Sequence, residues 1–198
     1  MIYVEFIRRD RFIPIELFRA LGDQASWTDP DDALVLNVGR TLRLGPHPPY
    51  MAFWTCKGMA RLDEWEAHFQ SDAGLGDTYE QATHKAIHLS DAGCFDEIVA
   101  GPRAEDGLQY IEFLDVPAAA ADAAMAEHFA RRAERQRPAV LNHVVRRIGH
   151  LGGPLGDMAV WTVADYVGLE PLARQAHPEG PFRPRQAGVY RRFGREIL

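Results

Sequence analysis

The chain repeats itself. The segment Tyr3-Val4-Glu5-Phe6-Ile7 returns as Tyr110-Ile111-Glu112-Phe113-Leu114, and Met51-Ala52-Phe53-Trp54-Thr55 returns as Met158-Ala159-Val160-Trp161-Thr162. Both matches keep one offset of 107 residues, which also sets Leu62-Asp63 against Leu169-Glu170. A match that holds its register through two strand-like segments and into a helical one is the mark of an internal duplication. Two shorter matches carry other offsets, Val35-Leu36-Asn37 with Val140-Leu141-Asn142 and Ala92-Gly93-Cys94-Phe95 with Ala187-Gly188-Val189-Tyr190, as loops of unequal length would produce. Two copies therefore divide the chain, residues 1–101 and 108–198, with the polar, turn-forming stretch 102–107 as linker.

Periodicity gives each copy the order strand, helix, strand, strand, helix, strand. In the first copy the strands fall at 2–9, 33–44, 50–56 and 94–100, the helices at 13–21 and 61–70, with an extra helix at 78–89. In the second copy the strands fall at 108–115, 139–149, 158–163 and 187–193, the helices at 118–136 and 166–176. This is the ferredoxin-like plan, which packs helices on one face of a four-stranded sheet and leaves the other face to be covered. Two copies in one chain cover each other, so the expected fold is an α+β barrel made of two tandem ferredoxin-like modules.

The order of elements, with the tryptophan-bearing third strand and the helix after it (AFWT…RLDEWEAHF and AVWT…GLEPLARQA), resembles the dimeric α+β barrel superfamily, in its tandem NIPSNAP-like and antibiotic-biosynthesis-monooxygenase-like branches. That resemblance implies an interior pocket. It leaves the chemistry open among cofactor-free oxygenases, isomerases, dehydratases and lyases, haem enzymes and proteins without activity.

Composition narrows the classes further. A net charge of −6 argues against nucleic acid as a partner. No apolar run approaches membrane-spanning length, and the alternating start MIYVEFIRRD lacks the regions of a secretory signal, so the expectation is a cytoplasmic protein. Cys56 and Cys94 stand apart without a CxxC neighbour and read as buried thiols. No phosphate-cradling glycine loop or Gly-x-Ser-x-Gly elbow is present. The expected partner is a small molecule, and two chains can pair through exposed sheet edges into a homodimer.

Strand alternation nominates the site residues. Ile2, Val4 and Phe6 share one face and suit the helix layer, which turns Tyr3 and Glu5, and by repetition Tyr110 and Glu112, toward the barrel interior. A buried carboxylate is costly unless it is used or paired, so Glu5 and Glu112 are candidate acid–base groups, with interior arginines such as Arg40, Arg146 or Arg147 as their alternative partners. His143 follows Asn142 where the first copy has Val38 after Asn37, a divergence that marks it as a proton-transfer candidate. Tyr3, Tyr110 and Arg40 are placed to stabilise oxyanion charge. Arg146, His47, His150, Tyr50, Trp54 and Trp161 are candidates for the substrate-binding wall. His84 and His88 have helical metal spacing but no third ligand, and no metal site is expected. His68, His128 and His177 read as surface positions. The expected activity is a lyase, isomerase or dehydratase acting without a cofactor on a small, aromatic-like molecule. A cofactor-free monooxygenase, a haem protein ligated through His143 and a non-catalytic binding module are the alternatives.

Overall fold

Alternation makes the strands, and their pairing closes them into a ring. A computed structural model describes residues 1–8, 34–46, 50–71, 88–102, 106–151, 156–174 and 181–192. In chain order they form β1 (Ile2–Arg8), β2 (Leu34–Arg40), β3 (Tyr50–Thr55), α1 (Met59–Ser71), β4 (His88–Ala100), β5 (Leu108–Asp115), α2 (Asp122–Arg135), β6 (Val140–Arg147), β7 (Asp157–Val163), α3 (Tyr166–Arg174) and β8 (Arg183–Arg192). The sheet is a closed barrel in the order β1-β3-β2-β8-β5-β7-β6-β4. Among the described residues every strand in it has two neighbours, although β8 meets β2 only over Tyr190–Arg192 and β6 meets β4 only over Phe95–Ala100.

The sequence repeat returns in the hydrogen-bond register. Tyr3 faces Trp54 and Glu5 faces Ala52 across β1 and β3, as Tyr110 faces Trp161 and Glu112 faces Ala159 across β5 and β7. The bulge between Leu34 and Leu36 in β2 recurs between Leu141 and His143 in β6. Both bulges obey the offset of 107, so the structural counterpart of His143 is Leu36 and that of Asn142 is Val35. The sequence match of Val35-Leu36-Asn37 with Val140-Leu141-Asn142 thus sits two residues out of register, because similar apolar triplets aligned across a bulge. The match of Ala92–Phe95 with Ala187–Tyr190 holds, since Phe95 pairs Ile2 as Tyr190 pairs Gln109.

Which face looks inward is the main correction to the sequence reading. Ile2, Val4, Phe6, Leu36, Val38, Met51, Phe53, Phe95, Ile111, Phe113, Val145, Met158, Val160 and Tyr190 come from all eight strands and form one buried cluster, the barrel lumen. Tyr3, Glu5, Tyr110 and Glu112 point the other way, to the helix side. The physical reason is that closing the barrel buries its lumen, where the large apolar side chains lose the most water-exposed surface. The helix side can supply polar partners to a carboxylate. Against the second half of the barrel, Tyr110, Leu141, Ala159, Trp161 and Val189 pack with Met125 and Phe129 of α2 and Leu169 and Leu172 of α3.

Element ends also moved. His88 and Leu89 belong to β4 rather than to the end of a helix, and residues 72–87 lie outside the described set, as do 9–33 with the expected helix at 13–21. β2 ends at Arg40, followed by a turn in which Leu42 and Arg43 have left-handed φ of 49° and 57°. β8 begins at Arg183 rather than 187. Cys56 and Cys94 are buried free thiols, and burial pushes Cys94 upward, the neighbouring Cys56 adding to it. Among the described residues no helix is long and apolar enough to cross a membrane.

One close approach locks the β2–β8 seam. A Cβ on Gly45 would stand 2.3 Å from Cα of Gly188, and one on Gly188 would stand 2.6 Å from the Tyr190 ring, which folds back over it. The backbone at Gly188 is therefore held between a loop and a lumen side chain. Gly188→Ala is expected to lower stability by about 1–3 kcal/mol, the usual cost of overpacking, measured as a drop in the urea midpoint against the parent chain.

Candidate functional site

The helix side of the second half carries the strongest electrostatics. In α2 the residues Met125, His128, Phe129 and Arg132 are buried, a stripe at helical spacing that faces the sheet. Arg132 reaches Glu112 on β5 with two hydrogen bonds, Nη1 to Oε2 at 2.6 Å and Nη2 to Oε1 at 2.8 Å, both side chains being 1% exposed. Trp161 donates from Nε1 to the same Oε2 at 3.0 Å, and the guanidinium lies 5.0 Å from the Trp161 ring centroid. Glu112 is thereby saturated, and its partner is neither Arg40, Arg146 nor Arg147. Burial and the adjacent carboxylate push the Tyr110 phenol up, which keeps it a neutral donor.

His128 shares that layer and is the residue that sequence reasoning placed on the surface. Its ring is buried, 5.1 Å from Phe129 and 5.3 Å from Phe182 between centroids, and its Nε2 has no hydrogen-bond partner. Burial first, then Arg132, Arg131 and Arg135, pull its pKa down and hold the imidazole neutral. The spacing 125, 128, 129, 132 was the available signal, since it puts His128 on the apolar stripe with Arg132.

The first half keeps half of this arrangement. Trp54 donates from Nε1 to Glu5 Oε2 at 3.0 Å, the same bond that Trp161 makes to Glu112. Among the described residues no cation joins it, and desolvation raises the Glu5 pKa against the opposing effect of Trp54.

A third polar group lies inside the barrel. Glu97 and His143 face each other across the β4–β6 seam, each beside a bulge, with His143 Nδ1 donating to Glu97 Oε1 at 2.6 Å. Next to it, Asn142 Nδ2 donates to Gln109 Oε1 at 3.1 Å and to Thr162 Oγ1 at 2.5 Å, and Thr162 donates to Gln109 Oε1 at 3.0 Å.

Other candidates are held in structural contacts. Arg40 donates to the carbonyls of Gly45 and Pro46. Arg146 fastens the approach to α2 through Asp122 and the carbonyls of Ala118 and Ala120. Arg147 donates its backbone N–H to Asp157, whose pKa is raised by burial against the pull of Arg147. Tyr50 begins β3, and His150 is exposed in the turn after β6. Tyr3 and Trp54 face the helix side, not a lumen pocket. His47, His84 and His177 lie outside the described residues, and His88 sits on a strand, which removes the helical His84/His88 pair.

No family model and no curated protein matches the sequence. Solved structures match in fold. A chlorite dismutase-like protein covers 99% of this chain and 96% of its own with a TM-score of 0.59 at 10% identity. A chlorite dismutase variant from Candidatus Nitrospira defluvii covers 99% and 93% with a TM-score of 0.53 at 11% identity. A monooxygenase-like protein from Fusobacterium nucleatum subsp. nucleatum covers 98% and 91% with a TM-score of 0.52 at 8% identity. The chain thus has the α+β barrel fold of these proteins over its whole length. Chlorite dismutases are haem-dependent, and this overturns the expectation that the barrel works without a cofactor.

The Glu112–Arg132 pair and Glu5 make separate predictions. Arg132→Met leaves a buried carboxylate without its cation and is expected to cost about 3–5 kcal/mol in denaturant unfolding, most of it regained when Glu112→Leu is added. For Glu5 the folded pKa is raised, so the folded state holds a proton that the unfolded chain has released. Stability is then highest below the ordinary carboxylate range and falls as pH rises through the raised value. Glu5→Gln is expected to flatten that fall in thermal-melt temperature between pH 4 and pH 8, and an unchanged slope would show that Glu5 does not carry it.

Proposed function

We propose that this chain is a haem-binding α+β barrel protein in which the imidazole of His128 would hold the iron. The observation that carries this reading is the unpartnered, buried Nε2 of an imidazole kept neutral by burial and three arginines, since iron takes a neutral imidazole and a buried nitrogen without a partner is otherwise a net cost. The residues present fit the group in donor chemistry. The ring of His128 lies against Phe129 and Phe182, and Phe129 in turn meets Trp161, so its surroundings are aromatic and apolar, as a flat macrocycle requires. Phe182 lies 5.3 Å from the imidazole between centroids. Haem, when bound, supplies redox chemistry and anion binding at iron. The chain's own part is to hold the imidazole neutral, to keep water from it, and to keep Arg132 fixed beside it through Glu112.

His143 is the second imidazole with the look of a metal ligand, because a carboxylate behind Nδ1 orients a ligating histidine and raises its basicity. The test is haem titration of the purified chain, followed by its near-ultraviolet absorption band and the response of that band to cyanide. The parent and His143→Ala are expected to take up haem with the same band, and His128→Ala to lose it. Loss in His143→Ala alone moves the axial role to His143. A parent chain that shows no band, with haem in excess, overturns the reading.

A further inference from the structure

The two halves of the barrel share a register but not a lumen. At the positions where the first half has Ile2, Val35 and Leu36, the second has Gln109, Asn142 and His143, with Thr55 and Thr162 equivalent. Ile2 and Leu36, buried in the lumen of the first half, show that the fold does not require polar groups at those two positions. Yet Gln109, Asn142, Thr162 and His143 are all more than nine-tenths buried. Burying such groups costs free energy unless each finds a partner. They satisfy one another only in part: Gln109 Nε2 and Asn142 Oδ1 remain buried without a partner. Exchanging O and N in both amides leaves the same deficit, one donor and one acceptor, so the deficit belongs to the site and not to the assignment of atoms.

His143 completes the set. The bulge at Leu141/His143 turns both Asn142 and His143 inward, against Thr162 and Val160. Nδ1 stands 2.6 Å from Glu97 Oε1, and a ring that donates to this carboxylate from Nδ1 presents Nε2 as its acceptor. Glu97 is 27% exposed while His143 is 8% exposed, so solvent reaches this end of the lumen from the Glu97 side.

We propose that this end of the lumen, between the start of β5, the start of β6, the end of β7 and the end of β4, binds a primary carboxamide group. The free donor of one amide side chain meets the ligand carbonyl. The free acceptor of the other and Nε2 of His143 meet the two N–H bonds. Glu97 is a positioning residue that fixes the tautomer of His143. A primary carboxamide offers one acceptor and two donors on adjacent atoms, without a charge that would have to be desolvated. This site is separate from His128 and stands whether or not the chain takes up haem through that residue.

The experiment is a titration of the full, 15N-labelled chain with propionamide at millimolar concentration, observing the side-chain amide signals of Gln109 and Asn142 and the imidazole nitrogens of His143. Saturable shifts at all three are expected. Gln109→Leu is expected to weaken binding about tenfold, the cost of one hydrogen bond. Glu97→Gln, at a partly exposed position, is expected to weaken binding and to move the His143 nitrogen shifts away from the Nδ1–H tautomer, and it serves as the test where Gln109→Leu does not fold. Amide signals that stay fixed through the titration, with cross-peaks to long-lived water, assign the free groups to an internal water and overturn the proposal. Shifts of equal affinity in parent and both variants overturn it as well.

Discussion

Everything in this molecule depends on closure of the barrel at two seams, β2 with β8 and β4 with β6. Each half alone would expose a sheet face of large apolar side chains. Joined, the two faces enclose fourteen buried side chains drawn from every strand. Closure also gives every described strand a neighbour on each side. Tyr190 and Gly188 show how tight this is, because the ring of one occupies the place where a side chain on the other would be.

Closure explains which parts of the sequence were legible. The repeat at 107 gave the strand pairs, and the structure returns them residue for residue in β1–β3 and β5–β7. Alternation also grouped the residues of each strand correctly, Ile2 with Val4 and Phe6, Tyr3 with Glu5. What alternation cannot state is which group faces in. The inference from cost, that a repeated glutamate inside a barrel is either used or paired with an arginine, began from the wrong face. Arg132 was unreadable as the partner of Glu112 because it lies twenty residues away on a helix, one turn beyond a histidine that reads as a surface position.

The repeat also misled at one point, and the physical cause is a bulge. An extra residue in β2 and β6 shifts the outward and inward sets within the strand, so short apolar triplets align better out of register than in it. Comparing His143 with Val38 hid its real counterpart, Leu36. With the pairing corrected, the lumen positions of the second copy differ from the first in one contiguous group, Gln109, Asn142 and His143. A contiguous change of polarity in an otherwise apolar lumen is a different signal from one divergent histidine.

The two halves then divide the tasks that a duplicated scaffold allows. Glu112 has gained a cation, a tryptophan N–H and a packed helix, and it acts as a tie between α2 and the sheet. Glu5 keeps only the tryptophan bond among the described residues, and burial raises its pKa against that bond. The second half carries both unpartnered imidazole chemistry at His128 and the polar lumen group around His143, on opposite faces of one sheet. Strands β5, β6 and β7 separate them, each contributing side chains to both. A change at one face therefore reaches the other only through strand position, and the fixed register of those three strands, backed by Trp161 on one side and Val160 on the other, keeps the two sites apart.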